Sequence, residues 1–491
     1  MKFKDKNFWL KMKSAIPLAI LALADVAVMA IPFYMENYIP NLYANLNLSA
    51  SEYSQAGAIY GYLSLPCYII GAYIGDKFRS KSLIIFSLIV MTALGLWYGA
   101  LPFIGAATAS SNVVKYQLYT IFGGFAIATC GLFWAPLWKV VKNHNTQDLP
   151  DELKEKQVGK NNGIQGSLNG LIGLTLAGIG IFLLTLSKKG ILPNIYVNEM
   201  AINAGFIILV ALYIFFIGLS FMMAIFYIKE PNITEKTFSL KSLYDVIKKW
   251  QIWALGILVL GVYMLQMGLS SYINYLDNIF LVGAVVVSII GIFRTYVMRF
   301  LISPFAGRAA DKSHSYILGI CLGLIVGIVL IIIAICLPGF DNSFKETALK
   351  NPQSAKVIFV KVAACLNLVI LGAVTWAVVT IRWSPLGTEL KLQNNQYAAG
   401  VNVISVIAFT PDAFFKQIKA AIEAKYYDVI ESVSGTEIRV ASQTGNQLIL
   451  AVAIIFGIVA LIAGIVLYIG IHRNSANYIF KLKKHKVVSV S

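Results

Sequence analysis

The chain has 491 residues, 58% hydrophobic and only 13% charged, with a mean hydropathy of +0.73. Water-soluble domains carry about a quarter charged residues, so composition excludes an ordinary soluble protein of this length. The formal net charge of +17 would suit a nucleic-acid partner, a reading that the distribution of the charges rejects.

A membrane-crossing helix needs about 20 mostly apolar residues, because the hydrocarbon core is about 30 Å thick. Twelve such runs follow one another along the chain. The first six are Ala15–Tyr34, Ala56–Ile74, Leu83–Leu101, Leu118–Leu137, Ile164–Leu186 and Ala204–Tyr227. A charged stretch, KEPNITEKTFSLKSLYDVIKKW, then fills residues 229–250, and its Ser239–Trp250 part suits a short amphipathic surface helix. The last six runs are Ile252–Tyr272, Gly283–Ile302, Tyr316–Cys336, Val362–Arg382, Tyr397–Ala420 and Leu448–Gly470, the eleventh being the least apolar. The division is therefore 1–228, a linker 229–250, and 251–491. The first run reads as a retained span, since no small-residue cleavage site and soluble domain follow it.

With both ends of the chain on one side of a bilayer, 26 Lys and Arg fall on that side and 9 on the other. Positive charge accumulates on the cytoplasmic side of membrane proteins. This predicts a multi-pass protein of the plasma (inner) membrane with cytoplasmic termini. A nucleic-acid face would concentrate the charge on one domain instead. The five cysteines all lie in apolar runs without CxxC spacing, which reads as packing. The four histidines, His144, His314, His472 and His485, fall in or beside cytoplasmic segments, so a buried histidine relay is not expected.

The halves echo each other. Trp134-Ala135-Pro136-Leu137 ends the fourth run, and Trp383-Ser384-Pro385-Leu386 ends the tenth. Asn161-Asn162 with Asn169 opens the fifth, and Asn394-Asn395 with Asn402 opens the eleventh. Asp76-Lys77 follows the second run and Asp311-Lys312 the eighth. Paired signals at matching positions indicate two related six-helix halves, a common build for transporter folds.

With these features the chain resembles the major facilitator superfamily over essentially its whole length. That family carries a loop of the form G-x-x-x-D-[RK]-x-G-[RK]-[RK] between its second and third helices. The corresponding stretch reads Ala72-Tyr73-Ile74-Gly75-Asp76-Lys77-Phe78-Arg79-Ser80-Lys81, so Asp76 and Lys77 match while Ala72 and Arg79 replace glycines. The second copy, Gly307-Arg308-Ala309-Ala310-Asp311-Lys312, keeps the glycine and the aspartate at the family spacing. The resemblance implies an all-α membrane protein with two pseudo-symmetric six-helix bundles around a midplane site. It also implies that Asp76, Lys77, Arg79, Asp311 and Lys312 latch the bundles on the cytoplasmic side. Asp76 would lie near the start of helix eleven and Asp311 near that of helix five, where helix dipoles favour a carboxylate. The segment Asn402–Phe415 and the spacing of Arg382 and Glu389 resemble a bacterial subset assigned to organic anions or sugar derivatives.

Ionisable groups at membrane depth are costly and so mark functional candidates. Asp25 sits in the middle of the first run. It reads either as a substrate or proton site or as a structural partner within its bundle. Arg294, central in the eighth run, needs a carboxylate partner or an anionic ligand, and its planar fork suits carboxylate, phosphate or sulfonate. Arg299 lies five residues on, about 7.5 Å along the axis and about 140° around it, close enough to the helix end to snorkel. Arg382 and Glu389 form a gating or anchoring pair or touch the ligand. Asp412, after the expected kink at Pro411, is expected to pair with Lys416 at i+4. Lys361 and Lys419 are expected to snorkel outwards. Tyr34, Trp134, Tyr263 and Trp376 either line a cavity or pack.

The sequence has no phosphate-binding G-x-x-x-x-G-K-[ST] loop, no G-x-S-x-G elbow and no HExxH, so neither an ATP-driven pump nor an enzyme is indicated. No cofactor or metal is implied. The expected partners are the lipid bilayer, a small anionic or polar solute and a coupled proton, with no nucleic acid. Efflux of drugs or metabolites, or a receptor that kept the fold without transporting, stand as alternatives.

Overall fold

The computed structural model describes residues 6–146, 150–229, 240–302, 305–306, 315–392, 394–431 and 435–473. Among these, eleven helices are long and apolar enough to cross a membrane, and they cover eleven of the twelve predicted runs. The eleventh run is broken. It forms helices Asn394–Ala408 and Pro411–Lys425, and Pro411 opens the second piece. Proline has no N–H to continue the ladder and clashes with the preceding turn, which is why the chain breaks there. Asp412, Lys416, Lys419 and Glu423 then make this second piece the most polar of the set, yet all four are buried.

Side-chain caps start several helices. Ser49 and Glu52 form a capping box at the second span, and Asn203, Ser315 and Ser442 accept backbone N–H groups at the sixth, ninth and twelfth. Three spans contain a π-helical stretch: Ala30–Tyr34 in the first, Ile127–Phe133 in the fourth and Phe293–Val297 in the eighth. Each widened turn shifts the register of the side chains beyond it.

Apolar packing forms two cores. One runs from Leu18 to Ile228, and the other from Val246 to Tyr468. The first core also takes in Ile292 and Tyr296 of the eighth span, and Ile438 and Val440 from a hairpin near the end of the chain. The short helix Leu240–Ile247 lies just before the second core and buries Val246 in it. The strands are confined, among the described residues, to two antiparallel hairpins, Ile195–Val197 with Met200–Ile202 and Tyr427–Glu431 with Glu437–Ala441.

We call the end where the first helix begins and the last one ends the terminal face, and the opposite end the far face. Towards the far face the halves touch backbone to backbone. A Cβ added to Gly61 in the second span would lie 2.1 Å from the backbone of Asp412. One added to Gly291 in the eighth would lie 2.5 Å from the Asn37 carbonyl. Only glycine fits at such approaches.

Candidate functional site

Asp25 is 5% exposed and lies where the first and fifth spans cross. Its Oδ2 accepts a hydrogen bond from Asn169 Nδ2, and its Oδ1 has no partner among the described residues. The asparagine echo noted in the sequence thus includes a ligand to the central carboxylate. Across the seam, Arg299 is near enough for its charge to act on both Asp25 and Tyr34. Arg299 is half-buried and turns to an aromatic ring. Its guanidinium lies 5.0 Å from the centre of the Trp376 ring. The π-helical stretch at Phe293–Val297 re-aims the residues that follow it.

Arg382 continues this line. Its guanidinium lies 5.4 Å from the Trp383 ring, its Nε has no partner among the described residues, and its charge and that of Arg299 act on one another. Beyond it, the Tyr263 hydroxyl reaches both oxygens of Asp412, at 2.8 and 3.0 Å. The ring of Tyr263 packs against Phe409 at 5.0 Å, and Phe409 against Tyr68 of the second span at 5.6 Å. Asp25, Tyr34, Arg299, Trp376, Arg382 and Tyr263 therefore form a continuous polar and aromatic seam between the two cores. Two guanidinium groups stand by tryptophan rings here, and their planar forks suit an anionic group.

Arg294 lies elsewhere. It is 2% exposed, and its Nη2 donates to the carbonyl of Asn37 at 3.2 Å. Its own carbonyl accepts from Trp376 Nε1 at 2.8 Å. Arg294 thus ties the eighth span to the far-face end of the first, and holds the ring over which Arg299 lies. Tyr34 packs edge-on to Tyr296 at 6.4 Å, and Trp134 packs edge-on to Trp138 at 5.9 Å.

The far face carries an ionic cluster that sequence spacing did not reveal. Glu36 pairs with Lys416 at 2.7 Å and with Lys419 at 3.3 Å. Lys419 also lies 3.8 Å from Glu423, whose Oε2 accepts from Ser54 Oγ at 2.7 Å. Two carboxylates and two ammonium groups balance, as buried charges require. The expected pair of Asp412 with Lys416 does not form, because Glu36 takes the lysine and Tyr263 the aspartate. Lys419 is likewise turned inwards to Glu36 rather than snorkelling. Glu36 was missed because it lies two residues beyond the first apolar run, where a charge looks like ordinary loop. A second cluster joins Asn41 to Asn274, Asp277 and Asn278 at 2.9, 3.2 and 2.8 Å.

On the terminal face, Glu389 does not meet Arg382. It accepts the backbone N–H groups of Tyr316 and Ile317 and lies 3.1 Å from His472 Nε2. It therefore caps the ninth span within the carboxyl-terminal half. Lys77 lies 5.7 Å from the centre of the Tyr73 ring, and Arg79 is exposed just before the third span. Asp311, Lys312 and the side chain of Asp76 lie outside the described residues. The cross-half hydrogen bonds and ion pairs described above fall on the far face, so that face is shut.

These features define a multi-span helical membrane protein of two packed halves with a charged seam between them. No protein-family profile matches the chain. It is 28% identical to the "Uncharacterized protein MG294 homolog" of Mycoplasma pneumoniae, over 93% of this chain and 92% of that one. It is 20% identical to "Inner membrane protein YihN" of Escherichia coli, over 81% and 85%. Among solved structures, a bacterial homolog of the human lysosomal transporter Spinster, inward-facing and occupied, superposes with a TM-score of 0.59 at 14% identity, covering 94% of this chain and 97% of that one. The fold is that of the major facilitator superfamily.

Proposed function

We propose that the protein is a secondary transporter that moves a small polar or anionic organic solute by alternating access. The two halves, 1–228 and 251–491, would rock about the seam while 229–250 tethers them. The observation that carries the anionic reading is the placement of the Arg299 and Arg382 guanidinium groups by the Trp376 and Trp383 rings, at 5.0 and 5.4 Å. Arginine presents a planar, permanently charged fork to carboxylate, phosphate or sulfonate. On this reading Arg299 and Arg382 hold the anion, with Tyr34 and Trp376 beside it. Asp25, with one oxygen unpartnered, exchanges a coupled proton. Arg294 serves the far-face closure instead of contacting the solute.

The membrane would be the plasma (inner) membrane with both termini cytoplasmic, which makes the far face external. Asp76, Lys77, Arg79, Asp311 and Lys312 would latch the terminal face when the far face opens. The fold itself is shared by proteins of many cargoes, so it supports transport and not a substrate. The test is a thermal-shift screen of the purified protein against carboxylates, sugar phosphates, sulfonates, nucleosides and neutral sugars, followed by uptake into liposomes. Ligands that bind the native state raise its melting temperature by mass action. Stabilisation by organic anions, lost in Arg299→Ala, is the expected result. Stabilisation only by neutral or cationic compounds would reject the anionic reading.

A further inference from the structure

The hairpin between the eleventh and twelfth spans joins the halves. Its strands, Tyr427–Glu431 and Glu437–Ala441, pair from Tyr427 opposite Ala441 to Glu431 opposite Glu437. Successive strand residues point to opposite faces. The second strand accordingly buries Ile438 and Val440, 4% and 0% exposed, and exposes Glu437 and Arg439. The two buried residues are members of the amino-terminal core, and Ile430 of the first strand packs against the same core.

The root of the hairpin belongs to the other half. Asp428 pairs with Lys345 at 2.7 Å, and Ser442 N donates to the Tyr426 carbonyl at 3.1 Å. Gln443 Nε2 donates to the Gly339 carbonyl at 2.9 Å. Towards the tip the contact crosses over, and Thr436 Oγ1 donates to Asn47 Oδ1 at 3.2 Å. A lone two-stranded ribbon has little stability in water, so this one depends on the surface it leans on. Between the hairpin and the amino-terminal loops lies a cavity of about 540 Å³, walled by Asn47, Glu52 and Ser110 on one side and by Glu423, Thr436 and Arg439 on the other.

We propose that this hairpin is a strap that holds the far face shut, carried by the carboxyl-terminal half and docked by Ile438 and Val440 into the core of the amino-terminal half. The far mouth then opens only when these two side chains withdraw into water, which the hydrophobic effect opposes. The internal strand pairing lets the ribbon leave as one piece. The strap rests on the alternating-access reading, because it acts only if the halves part at the far face.

The experiment places spin labels on azido amino acids at Thr108 and Ser343, one in each half at the far face, in lipid nanodiscs. In Ile438→Ser/Val440→Ser the long-distance population should rise by roughly tenfold, a shift of the two-state equilibrium. A disulfide formed in Asn47→Cys/Thr436→Cys should remove that population, and reductant should restore it. Gly61→Leu, a wedge remote from the hairpin, is the control for opening as such. If the wedge opens the far face and the strap variant leaves distances unchanged, the strap is overturned and alternating access stands. If neither opens it, both fail. Should the double-serine protein not fold, the disulfide decides: a long-distance population that persists in cross-linked Gly61→Leu protein overturns the strap.

Discussion

Lys416 and Glu36 meet at 2.7 Å, and they belong to opposite halves of the molecule. Their side chains are 8% and 12% exposed, so the pair is largely out of water. Removing one member of such a pair strands the other, which costs more than the pair itself contributes. Glu36→Gln would leave Lys416 without its ion-pair partner and Lys419 with Glu423. Opening the far face hydrates both lysines and relieves that cost. The variant should therefore favour the far-open state by a free energy on the order of 1–3 kcal/mol. Spin-label distances across the far face should lengthen. Adding Lys416→Met, which removes the stranded charge, should bring them part of the way back. Unaltered distances in Glu36→Gln would show that the cluster does not hold this face.

The spans were legible in the sequence because membrane burial demands about 20 apolar residues in succession, whatever the packing partner. Pro411 announced the break in the eleventh span for a local reason, the missing N–H. The charge network was not legible. Lys416 has a carboxylate at i−4, Asp412, and local geometry favours that pair. The actual partner, Glu36, is 380 residues away along the chain, and only the packing of the eleventh span against the amino-terminal half, mainly its second span, brings it near. Arg299 was expected to snorkel because it lies close to the helix end, and its neighbour Trp376, which its guanidinium approaches to 5.0 Å, is likewise remote in sequence. Asp25 was found because a carboxylate inside an apolar run is conspicuous, and its partner Asn169 was visible as half of a repeated pattern.

Arg299 and Arg294 should separate in function. Arg299→Lys keeps the charge but loses the fork, and so should weaken anion binding by about tenfold or more, the equivalent of about 1.4 kcal/mol. Arg294→Lys keeps a donor near Asn37 and should leave the affinity within about threefold, or roughly 0.7 kcal/mol, while changing the balance between far-open and far-closed states. Calorimetric titration of each variant with the best anion from the screen, beside distance measurements, makes the comparison. A greater loss of affinity in Arg294→Lys than in Arg299→Lys would return Arg294 to the solute site.

The distribution of Lys and Arg predicts that the far face is external. Cysteines placed at Ser343 and at Asn47, both on the far face, should react with an impermeant maleimide added outside intact cells, whereas one at Lys249 should react only after permeabilisation. Labelling of the Lys249 position from outside would invert the topology and with it the meaning of the far-face closure.

Asp25 is the sharpest test of coupling. Its Oδ2 is held by Asn169 and its Oδ1 is unpartnered among the described residues, so a proton can be carried there without breaking the hydrogen bond. Asp25→Asn resembles the protonated acid in shape and charge. If Asp25 carries the coupled proton, the variant should still exchange labelled for unlabelled solute across a liposome membrane. It should fail to accumulate solute against a gradient when the lumen is made alkaline. A purely structural Asp25 makes another forecast. The amide would then lower the melting temperature, or leave accumulation intact if its hydrogen bond to Asn169 re-forms with the amide oxygen as acceptor. Asn169→Asp separates these further. It sets a second carboxyl group against Asp25, and two carboxylates that close share a proton because both cannot ionise. Accumulation in that variant should move its dependence on external pH to higher values, since protonation of the site becomes easier. A pH profile identical to that of the parent protein, with the variant well folded, would remove Asp25 from the coupling path.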